Sequence, residues 1–285
     1  MRRLPSDSSS RASCREFRIP AGQSFCQLTW RRSDAAGCEL SIFEQKGICQ
    51  LLLVLGGHLL LDNQVHSAGE GRLLPPPGKK PAVHQVAATD GCEWIHLVVP
   101  ARAIEFLPPG TGRERLSISP PALFQLALLL AVLEDQPLLH HLLPADLARL
   151  LQLLAAGDPA AGGERFSFNE CLAFARSFYH LPDPLSSKCT LAHWASCGSL
   201  KSYRLPVLCR ELLGLTAREV LQFLKMQSAA RAIGEKQNTL HCISRELDYS
   251  NDENLITGFR KYFGITPHVY QNLMGHSLQT SIYKL

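Results

Sequence analysis

The sequence has 285 residues, of which 46% are hydrophobic and 19% are charged. This composition excludes a disordered chain, and no stretch reaches the roughly 18 uncharged apolar residues that a membrane span needs. The basic start of the chain is not followed by an apolar run, so we expect a soluble, cytoplasmic protein without membrane association. The length suits two domains, because a domain commonly has about 100–150 residues.

The net charge of +4 is confined to the C-terminal part of the chain. Residues 1–165 contain 16 Lys and Arg and 16 Asp and Glu, whereas residues 166–285 contain 13 and 9. A mildly basic domain of this kind suits a polyanionic partner. The ten cysteines lack the two-residue spacing of zinc sites, so we expect reduced thiols that are mostly buried as small apolar residues.

Short β-like segments separated by turn residues occupy the chain from about Phe17 to Pro100. This pattern predicts a small barrel or sandwich. Gly56-Gly57 between two apolar runs predicts a two-residue hairpin. The predicted strands are Ser24–Trp30, Cys38–Glu44, Cys49–Leu55, His58–Val65 and Cys92–Val99.

Leu/Ala-rich helical segments follow at about 120–134 and 144–155, and they predict a helical hairpin. Small residues, glycine and proline then indicate a flexible linker. The sequence therefore predicts an α+β chain with an N-terminal domain at 17–155, a linker at 156–165 and an all-α domain at 166–285. The all-α domain begins with a helix from about Asn169 to Tyr179, which two prolines end.

Two segments of the C-terminal domain resemble each other at an offset of 50 residues. Each copy predicts a short helix, a tight turn at 197–199 or 248–250, and a second helix that ends at a left-handed glycine. In this helix-turn-helix arrangement the second helix, here called the reading helix, enters the DNA major groove. The matched positions are Leu205, Cys209, Arg210, Gly214, Leu215 and Thr216 with Leu255, Phe259, Arg260, Gly264, Ile265 and Thr266.

One long helix is predicted between the two copies. Thr216-x-x-Glu219 is a capping box that begins it, and Ser250-x-x-Glu253 is expected to cap the second reading helix in the same manner. Thr266-Pro267 predicts the start of a final short helix. The buried stripe expected on the linking helix consists of Val220, Phe223, Met226, Ala230 and Ile233.

The end of the second copy, Phe259 to Tyr270, has an aromatic-basic start and a Gly-Ile-Thr-Pro-x-x-Tyr ending. In this feature the segment 187–272 resembles the C-terminal domain of AraC/XylS-type bacterial transcription regulators. The resemblance implies a basic residue at Lys225 and an alanine at Ala229 on the linking helix. It also implies a cupin-like N-terminal barrel that senses a signal and forms a homodimer, and an activator that acts with RNA polymerase at a promoter.

Four positions depart from the family pattern. Ser244 replaces the usual alanine, Asp248 replaces the usual glycine of the turn, and Lys201 replaces the usual serine before the first reading helix. Pro206 is tolerable only if that helix begins near Arg204 or bends there. This degenerate first copy is similar to a subgroup of regulators that activate type III secretion genes in virulence.

The predicted contacts to double-stranded DNA lie on the two reading helices. Arg204 is the main candidate for base readout, because a guanidinium can bind both acceptors of guanine. Glu253 is interpreted as a helix cap, and the second copy is expected to hold the DNA backbone more than the bases. The predicted contacts are Lys201, Ser202, Tyr203, Arg204, Val207 and Arg210 in the first copy, and Asn251, Asp252, Asn254, Thr257, Arg260, Lys261 and Lys236 in or beside the second.

Three hypotheses remain for the N-terminal domain. The first is control of DNA binding by a small ligand, and the second is control by a protein coactivator such as a secretion chaperone. The third and least favoured is a cupin-type metal enzyme, in which a metal would be bound by His58, His66, His84 and His96. The His-x-His and Glu spacing of metal cupins is absent from the sequence, so we expect no enzyme, metal or cofactor.

Overall fold

The structure, a computed structural model, describes residues 12–21, 24–33, 38–74, 82–101, 115–135, 143–156, 166–181, 185, 189–235 and 238–282. The chain divides into two compact units, Met1–Leu172 and Ala173–Leu285. The domain boundaries expected from the sequence remain predictions, and the predicted linker apart from Ala156 lies outside the described residues. Within the ranges above, no helix is long and apolar enough to cross a membrane.

The strands of the first unit form two antiparallel sheets. The larger sheet has the order β1-β2-β9-β4-β7-β10 and the smaller has the order β3-β8-β5-β6. The strands are β1 (Ala12–Ala21), β2 (Ser24–Ser33), β3 (Cys38–Phe43), β4 (Ile48–Gly56), β5 (His58–Leu61), β6 (Gln64–Ser67), β7 (Glu70–Leu74), β8 (Val83–Ala88), β9 (Glu93–Pro100) and β10 (Arg115–Ser117).

A single apolar cluster fills the space between the two sheets. Leu52 and Trp94 come from the larger sheet, Leu59 and Val86 come from the smaller one, and all four are almost completely buried. The two sheets therefore pack face to face as a sandwich. The α+β class agrees with the prediction, but the described strands do not close into the cupin-like barrel that the resemblance implied.

The predicted hairpin at Gly56-Gly57 is wrong. Gly57 has the expected left-handed φ of 71°, but the strands on either side of it belong to different sheets. The true two-residue turn lies inside the predicted strand His58–Val65. There, Asp62 and Asn63 have φ values of 48° and 65°, and they connect β5 to β6. Both signs are those of a type I′ turn, which suits antiparallel strands.

The helices match the predicted segments closely, except that the final helix, which was predicted to be short, has 16 residues. α1 and α2 pack against each other as the expected hairpin, and α2 also contacts β1. Six of the nine cysteines whose burial the structure describes are buried, as expected for small apolar residues. The helices are α1 (Pro120–Asp135), α2 (Leu143–Ala155), α3 (Phe168–Tyr179), α4 (Leu191–Cys197), α5 (Arg204–Leu213), α6 (Ala217–Glu235), α7 (Leu240–Glu246), α8 (Asp252–Phe263) and α9 (Pro267–Ile282).

Candidate nucleic-acid interface

The first helix-turn-helix unit consists of α4, a turn and α5. Thr190 caps α4, because its hydroxyl accepts a hydrogen bond from the backbone N–H of His193 over 3.2 Å. Ser199 takes a left-handed φ of 56° in the turn, and the N–H of Leu200 donates to the carbonyl of Ala195 over 2.9 Å. Gly214 ends α5 with a φ of 70°. The predicted left-handed glycine at this position is confirmed.

The second unit, α7 and α8, repeats this geometry. Thr239 caps α7, the N–H of Tyr249 donates to the carbonyl of Ser244 over 2.8 Å, and Gly264 ends α8 with a φ of 74°. Asp248 occupies the left-handed position of the turn with a φ of 64°. The departure from glycine at this position therefore leaves the turn conformation unchanged. The offset between the copies is 49 residues before the turn and 50 after it, because the segment from Ser244 to Leu255 is one residue longer than the segment from Ala195 to Leu205.

Equivalent buried residues hold the two helices of each unit together. In the first unit, Trp194 and Ala195 of α4 and Leu205 and Cys209 of α5 are at most 1% exposed. Their counterparts in the second unit are Ile243, Ser244, Leu255 and Phe259.

Ser244 takes the position of an alanine without leaving a polar group unsatisfied. Its single hydroxyl proton can be donated to the carbonyl of His241, 2.9 Å away, or to the carboxylate of Asp252. A buried hydroxyl is tolerated when it has such partners.

The first reading helix begins at Arg204, as its proline requires. Pro206 is the third residue of α5. The first N–H groups of a helix have no intrahelical acceptor, so the missing N–H of proline costs no hydrogen bond at this position. Lys201 and Ser202 therefore lie in the turn before the helix, and Tyr203 is its N-terminal cap residue.

Five of the six predicted DNA contacts of the first helix-turn-helix unit are exposed. Lys201, Ser202, Tyr203 and Arg210 are exposed, and 40% of the Val207 side chain is accessible. Arg204 is half-buried at the first helical position. The structure therefore places a tyrosine and three basic residues along the turn and the outer side of α5.

In the second unit the predicted contacts differ in availability. Asn254 and Thr257 are exposed, and so are the basic residues Arg260 and Lys261. Asp252 is half-buried, and its carboxylate is directed to α7, where it lies 3.4 Å from Nδ1 of His241. Lys236 lies outside the described residues.

Asn251, predicted as a DNA contact, is the N-terminal cap of α8. Its side-chain oxygen accepts a hydrogen bond from the N–H of Asn254 over 2.8 Å. The predicted capping box of Ser250 and Glu253 is therefore wrong, because the extended backbone that a cap requires occurs one residue later. Glu253 is left exposed in the first helical turn.

The linking helix α6 begins at the predicted capping box. The carboxylate of Glu219 accepts hydrogen bonds from the backbone N–H and the hydroxyl of Thr216, each over 2.8 Å. The backbone N–H contributes most to lowering the pKa of Glu219, and the positive charges of Arg210 and Lys261 lower it further. Glu219 therefore lies close to one basic residue from each reading helix.

The buried face of α6 differs from the prediction at one residue. Val220, Met226, Ala230 and Ile233 are buried, whereas Phe223 is 44% exposed. Phe223 packs its ring against Tyr262 of α8 instead, with the ring centroids 6.3 Å apart.

Lys225 serves the second unit as a structural contact. Its Nζ donates to the carbonyl of Leu247, at the end of α7, over 3.4 Å. Ala229, one turn further along α6, is fully buried. Nothing in the local sequence indicated the contact of Lys225, because its partner lies 22 residues away.

The four histidines proposed as metal ligands have other contacts. His84 binds Asp62 and Glu44, and the rings of His96 and His58 contact Gln50 and Ser67. Among the residues described by the structure, no group of three His, Cys, Asp or Glu side chains is arranged to hold a metal ion. His66 is buried between the two sheets of the N-terminal unit.

Comparison with known proteins agrees with this geometry in the C-terminal unit. Residues 194–272 match the family of proteins described as "Helix-turn-helix domain". This match spans both reading helices and all of α6. No curated protein sequence matches the chain.

Solved structures similar to the chain include several regulators. An AraC-type transcriptional regulator from Chromobacterium violaceum is 14% identical, with coverage of 36% of this chain and 91% of that one and a TM-score of 0.33. A DNA-binding transcriptional dual regulator from Escherichia coli K-12 is 23% identical, with coverage of 36% and 93% and a TM-score of 0.32. ToxT from Vibrio cholerae, solved with a bound unsaturated fatty acid, is 8% identical, with coverage of 94% and 97% and a TM-score of 0.31. These scores are too low to add to the argument.

Residues 194–272, with two helix-turn-helix units in tandem joined by one helix, thus match a helix-turn-helix domain, in which the second helix of a unit enters the DNA major groove.

Proposed function

We propose that the chain is a transcription activator. It binds a promoter sequence through both helix-turn-helix units, and it responds to a small ligand through the compact N-terminal unit that contains the two sheets. The observation that supports this most is the repeated geometry of the two units at the ends of α6. With 19 residues, α6 is about 28 Å long at roughly 1.5 Å per residue. This length suits two reading helices that meet successive major grooves, about 34 Å apart on one face of DNA.

The two units have different proposed roles. The first unit reads bases through Arg204, with Lys201, Ser202, Tyr203 and Val207 beside it on the exposed surface. In the second unit the acidic residues at the start of α8 oppose close approach to phosphates. Arg260 and Lys261, with Arg210 of the first unit, are therefore proposed as backbone contacts, while Asn254 and Thr257 are the available polar contacts to bases.

The remaining partners follow from the regulator class. An activator bound at a promoter acts on RNA polymerase, and a cytoplasmic homodimer is part of the same proposal. Ligand control is proposed for the compact N-terminal unit because a regulator that responds to a signal needs a sensing site outside its DNA-binding surface.

A second candidate is control by a protein coactivator, as in the regulators of type III secretion genes. One observation favours it: the outer face of the smaller sheet carries exposed apolar residues. Phe43 pairs with Val83 across β3 and β8, and Leu60 pairs with Val65 across β5 and β6. Their exposed fractions lie between 38% and 61%. Exposed apolar patches of this kind are typical of protein contacts.

The experiment that tests base readout compares two substitutions in the full chain, with cognate and random duplexes at two salt concentrations. Arg204→Ala is expected to lower affinity for the cognate duplex alone. Lys261→Ala is expected to lower affinity for both duplexes and to flatten the salt dependence. Arg204→Lys is the matched control for charge, since lysine keeps the charge and loses the bidentate geometry. Equal losses on both duplexes for Arg204→Ala would refute its role in base readout.

A further inference from the structure

Two polar side chains of α6 hold the turn of the second helix-turn-helix unit. Nε2 of Gln222 donates a hydrogen bond to the hydroxyl of Tyr249, and Nζ of Lys225 donates to the carbonyl of Leu247 over 3.4 Å. Gln222 and Lys225 are three residues apart, so they lie on the same face of α6. Their partners flank Asp248, whose left-handed backbone is less favourable than it would be for glycine. The side chains of α6 thus fasten the turn on both sides of this residue.

The side chain of Tyr249 also reaches the second reading helix. A Cβ atom added to Gly258 of α8 would lie 3.8 Å from the hydroxyl oxygen of Tyr249 and 3.8 Å from the sulfur of Met226 on α6. Burial raises the pKa of Tyr249, and the hydrogen bond from Gln222 opposes this rise. The Tyr249 hydroxyl therefore lies where the turn, α6 and α8 meet.

The turn of the first unit packs against a different helix. A Cβ atom added to Gly198 would lie 2.4 Å from the carbonyl oxygen of Ala173, so this turn touches α3. The second turn is fastened to α6, the helix that follows the first reading helix. The orientation of the second reading helix relative to the first therefore depends on the contacts that α6 makes with the second turn.

The same part of α6 contacts the segment that leads into the first unit. Oγ of Ser228 accepts a hydrogen bond from the backbone N–H of Leu185 over 3.3 Å. Burial raises the pKa of the Cys189 thiol, and the charge of Lys225 opposes this rise, so the ammonium group lies close to this segment. Leu185 and Cys189 belong to the same apolar cluster as buried residues of α6 and of the second unit. Two turns of α6 therefore hold both the entry to the first unit and the turn of the second.

The placement of the two reading helices has a direct consequence for DNA binding. Successive major grooves on one face of DNA are about 34 Å apart, which corresponds to roughly 10 base pairs. One base pair more or fewer between two binding blocks moves the second block along the duplex and rotates it around the axis. A chain with rigidly placed reading helices meets such a duplex only if the DNA is deformed, whereas a loosely held second unit can follow the shift.

We infer that Gln222 and Lys225, together with Tyr249, are positioning residues that determine which separation of two DNA blocks the chain accepts. They act through the turn of the second unit and the orientation of α8. The inference rests on the proposed binding of both helix-turn-helix units to one duplex, and it names the residues that make this binding selective for spacing.

The test measures the affinity of the full chain for three duplexes. They carry the two selected blocks at the selected spacing, with one base pair inserted, or with one base pair removed. For the native chain, either change should weaken binding about tenfold, because the DNA must be twisted to meet both reading helices. In the double variant Gln222→Ala/Lys225→Met the penalty should fall to about two- to threefold, with most of the loss of affinity on the selected spacing. Gln227→Ala, at an exposed position of α6, is the matched control and should keep the native penalty.

Two further variants separate positioning from stability. Tyr249→Phe keeps the ring and removes the hydroxyl, so it should relax the spacing preference as Gln222→Ala does, and the two substitutions together should add little. Lys225→Arg keeps a charged donor and should restore the native preference. Circular dichroism shows whether the double variant folds, and Tyr249→Phe replaces it if it does not.

A loss of stability alone would lower affinity for all three duplexes by the same factor. An unchanged ratio between the duplexes in the folded variants would therefore overturn the inference, while the native spacing penalty would still support binding by both units. A native chain that binds the three duplexes equally would contradict the proposed binding of both units and would overturn the inference with it.

Discussion

The indole Nε1 of Trp194 donates a hydrogen bond to Oγ of Ser177 over 2.9 Å, in the buried contact between α4 and the C-terminal half of α3. Ser177 in turn donates to the carbonyl of Phe174 over 2.6 Å. The ring of Trp194 packs between Phe174 and Phe178. α3 is thereby fixed to the first helix-turn-helix unit.

The first prediction concerns this hydrogen bond. Ser177→Ala leaves the Trp194 indole N–H buried without an acceptor, and such a loss costs about 1–3 kcal/mol of the free energy of unfolding. Urea unfolding of the full chain, monitored by tryptophan fluorescence, measures the change. Trp194→Phe combined with Ser177→Ala should cost less than the sum of the single substitutions, because the pair is coupled. Strict additivity would contradict the contact.

The second prediction concerns Gly198, in the turn of the first unit. A Cβ atom at this position would lie 2.4 Å from the carbonyl oxygen of Ala173 and 2.6 Å from Cβ of Ser177. Gly198→Ala is therefore expected to destabilise the chain by about 1–3 kcal/mol through overpacking.

Gly258, within α8, offers a matched control for Gly198. Its added Cβ would meet no atom closer than 3.8 Å, so Gly258→Ala should stabilise the helix by up to about 1 kcal/mol. Chemical unfolding of both variants provides the comparison. Equal effects of the two substitutions would show that the close approach of α3 to the turn is not the cause.

The third prediction concerns the carboxylate of Glu219, which lies near one basic residue of each helix-turn-helix unit. Glu219→Gln keeps the capping box, since glutamine also serves at that position, but it removes the negative charge near Arg210 and Lys261. If both cations contact phosphates, affinity for any duplex should rise roughly two- to fivefold at low salt, and the rise should fade as salt is added. Glu246→Gln, exposed on α7, is the matched control. Unchanged affinity in Glu219→Gln would place these cations away from DNA.

The fourth prediction concerns the pH dependence of the stability of the N-terminal unit that contains the two sheets. His84 lies 2.5 Å from Asp62 and 3.2 Å from Glu44. Burial lowers the pKa of His84, but the hydrogen bonds and charges of the two carboxylates outweigh it and raise the pKa above the ordinary 6.5. The stabilisation by protonated His84 is therefore complete below about pH 6.5 and is lost as the pH rises through the raised pKa.

The carboxylates set the acid limit of the same effect. Burial alone would raise the pKa of Asp62, but the contact with His84 lowers it overall, and the N–H of Ala82 is the main cause that lowers the pKa of Glu44. Thermal unfolding between pH 5 and 9 should thus show His84→Gln destabilised most at pH 5 to 6, with the difference shrinking at higher pH. A difference that does not change with pH would contradict the ion cluster.

The C-terminal unit was largely predictable because its signals are local. Thr216-x-x-Glu219, Gly214 and Gly264 each determine a helix end through atoms within a few residues. The cap of α8 shows the limit of this reasoning. Ser250 and Asn251 are both good cap residues, and only the extended backbone at Asn251 decides between them.

The N-terminal sheets were harder to predict because strand pairing is not local. Gly57 was recognised as a turn residue, yet nothing near it shows that β4 pairs with β9 while β5 pairs with β8. The contact of Lys225 with Leu247 is of the same kind, since its partner lies 22 residues along the chain, at the end of the next helix. Such contacts depend on the packing of the whole unit.

The central claim is that both helix-turn-helix units bind DNA together, one in each of two successive major grooves. The most direct measurement is selection of random duplexes by the full chain at two salt concentrations, followed by sequencing of the retained DNA. The account predicts one motif with two specified blocks about one DNA turn apart, bound with an affinity that falls steeply as salt rises. Recovery of a single block, or of no motif at either salt concentration, would contradict it.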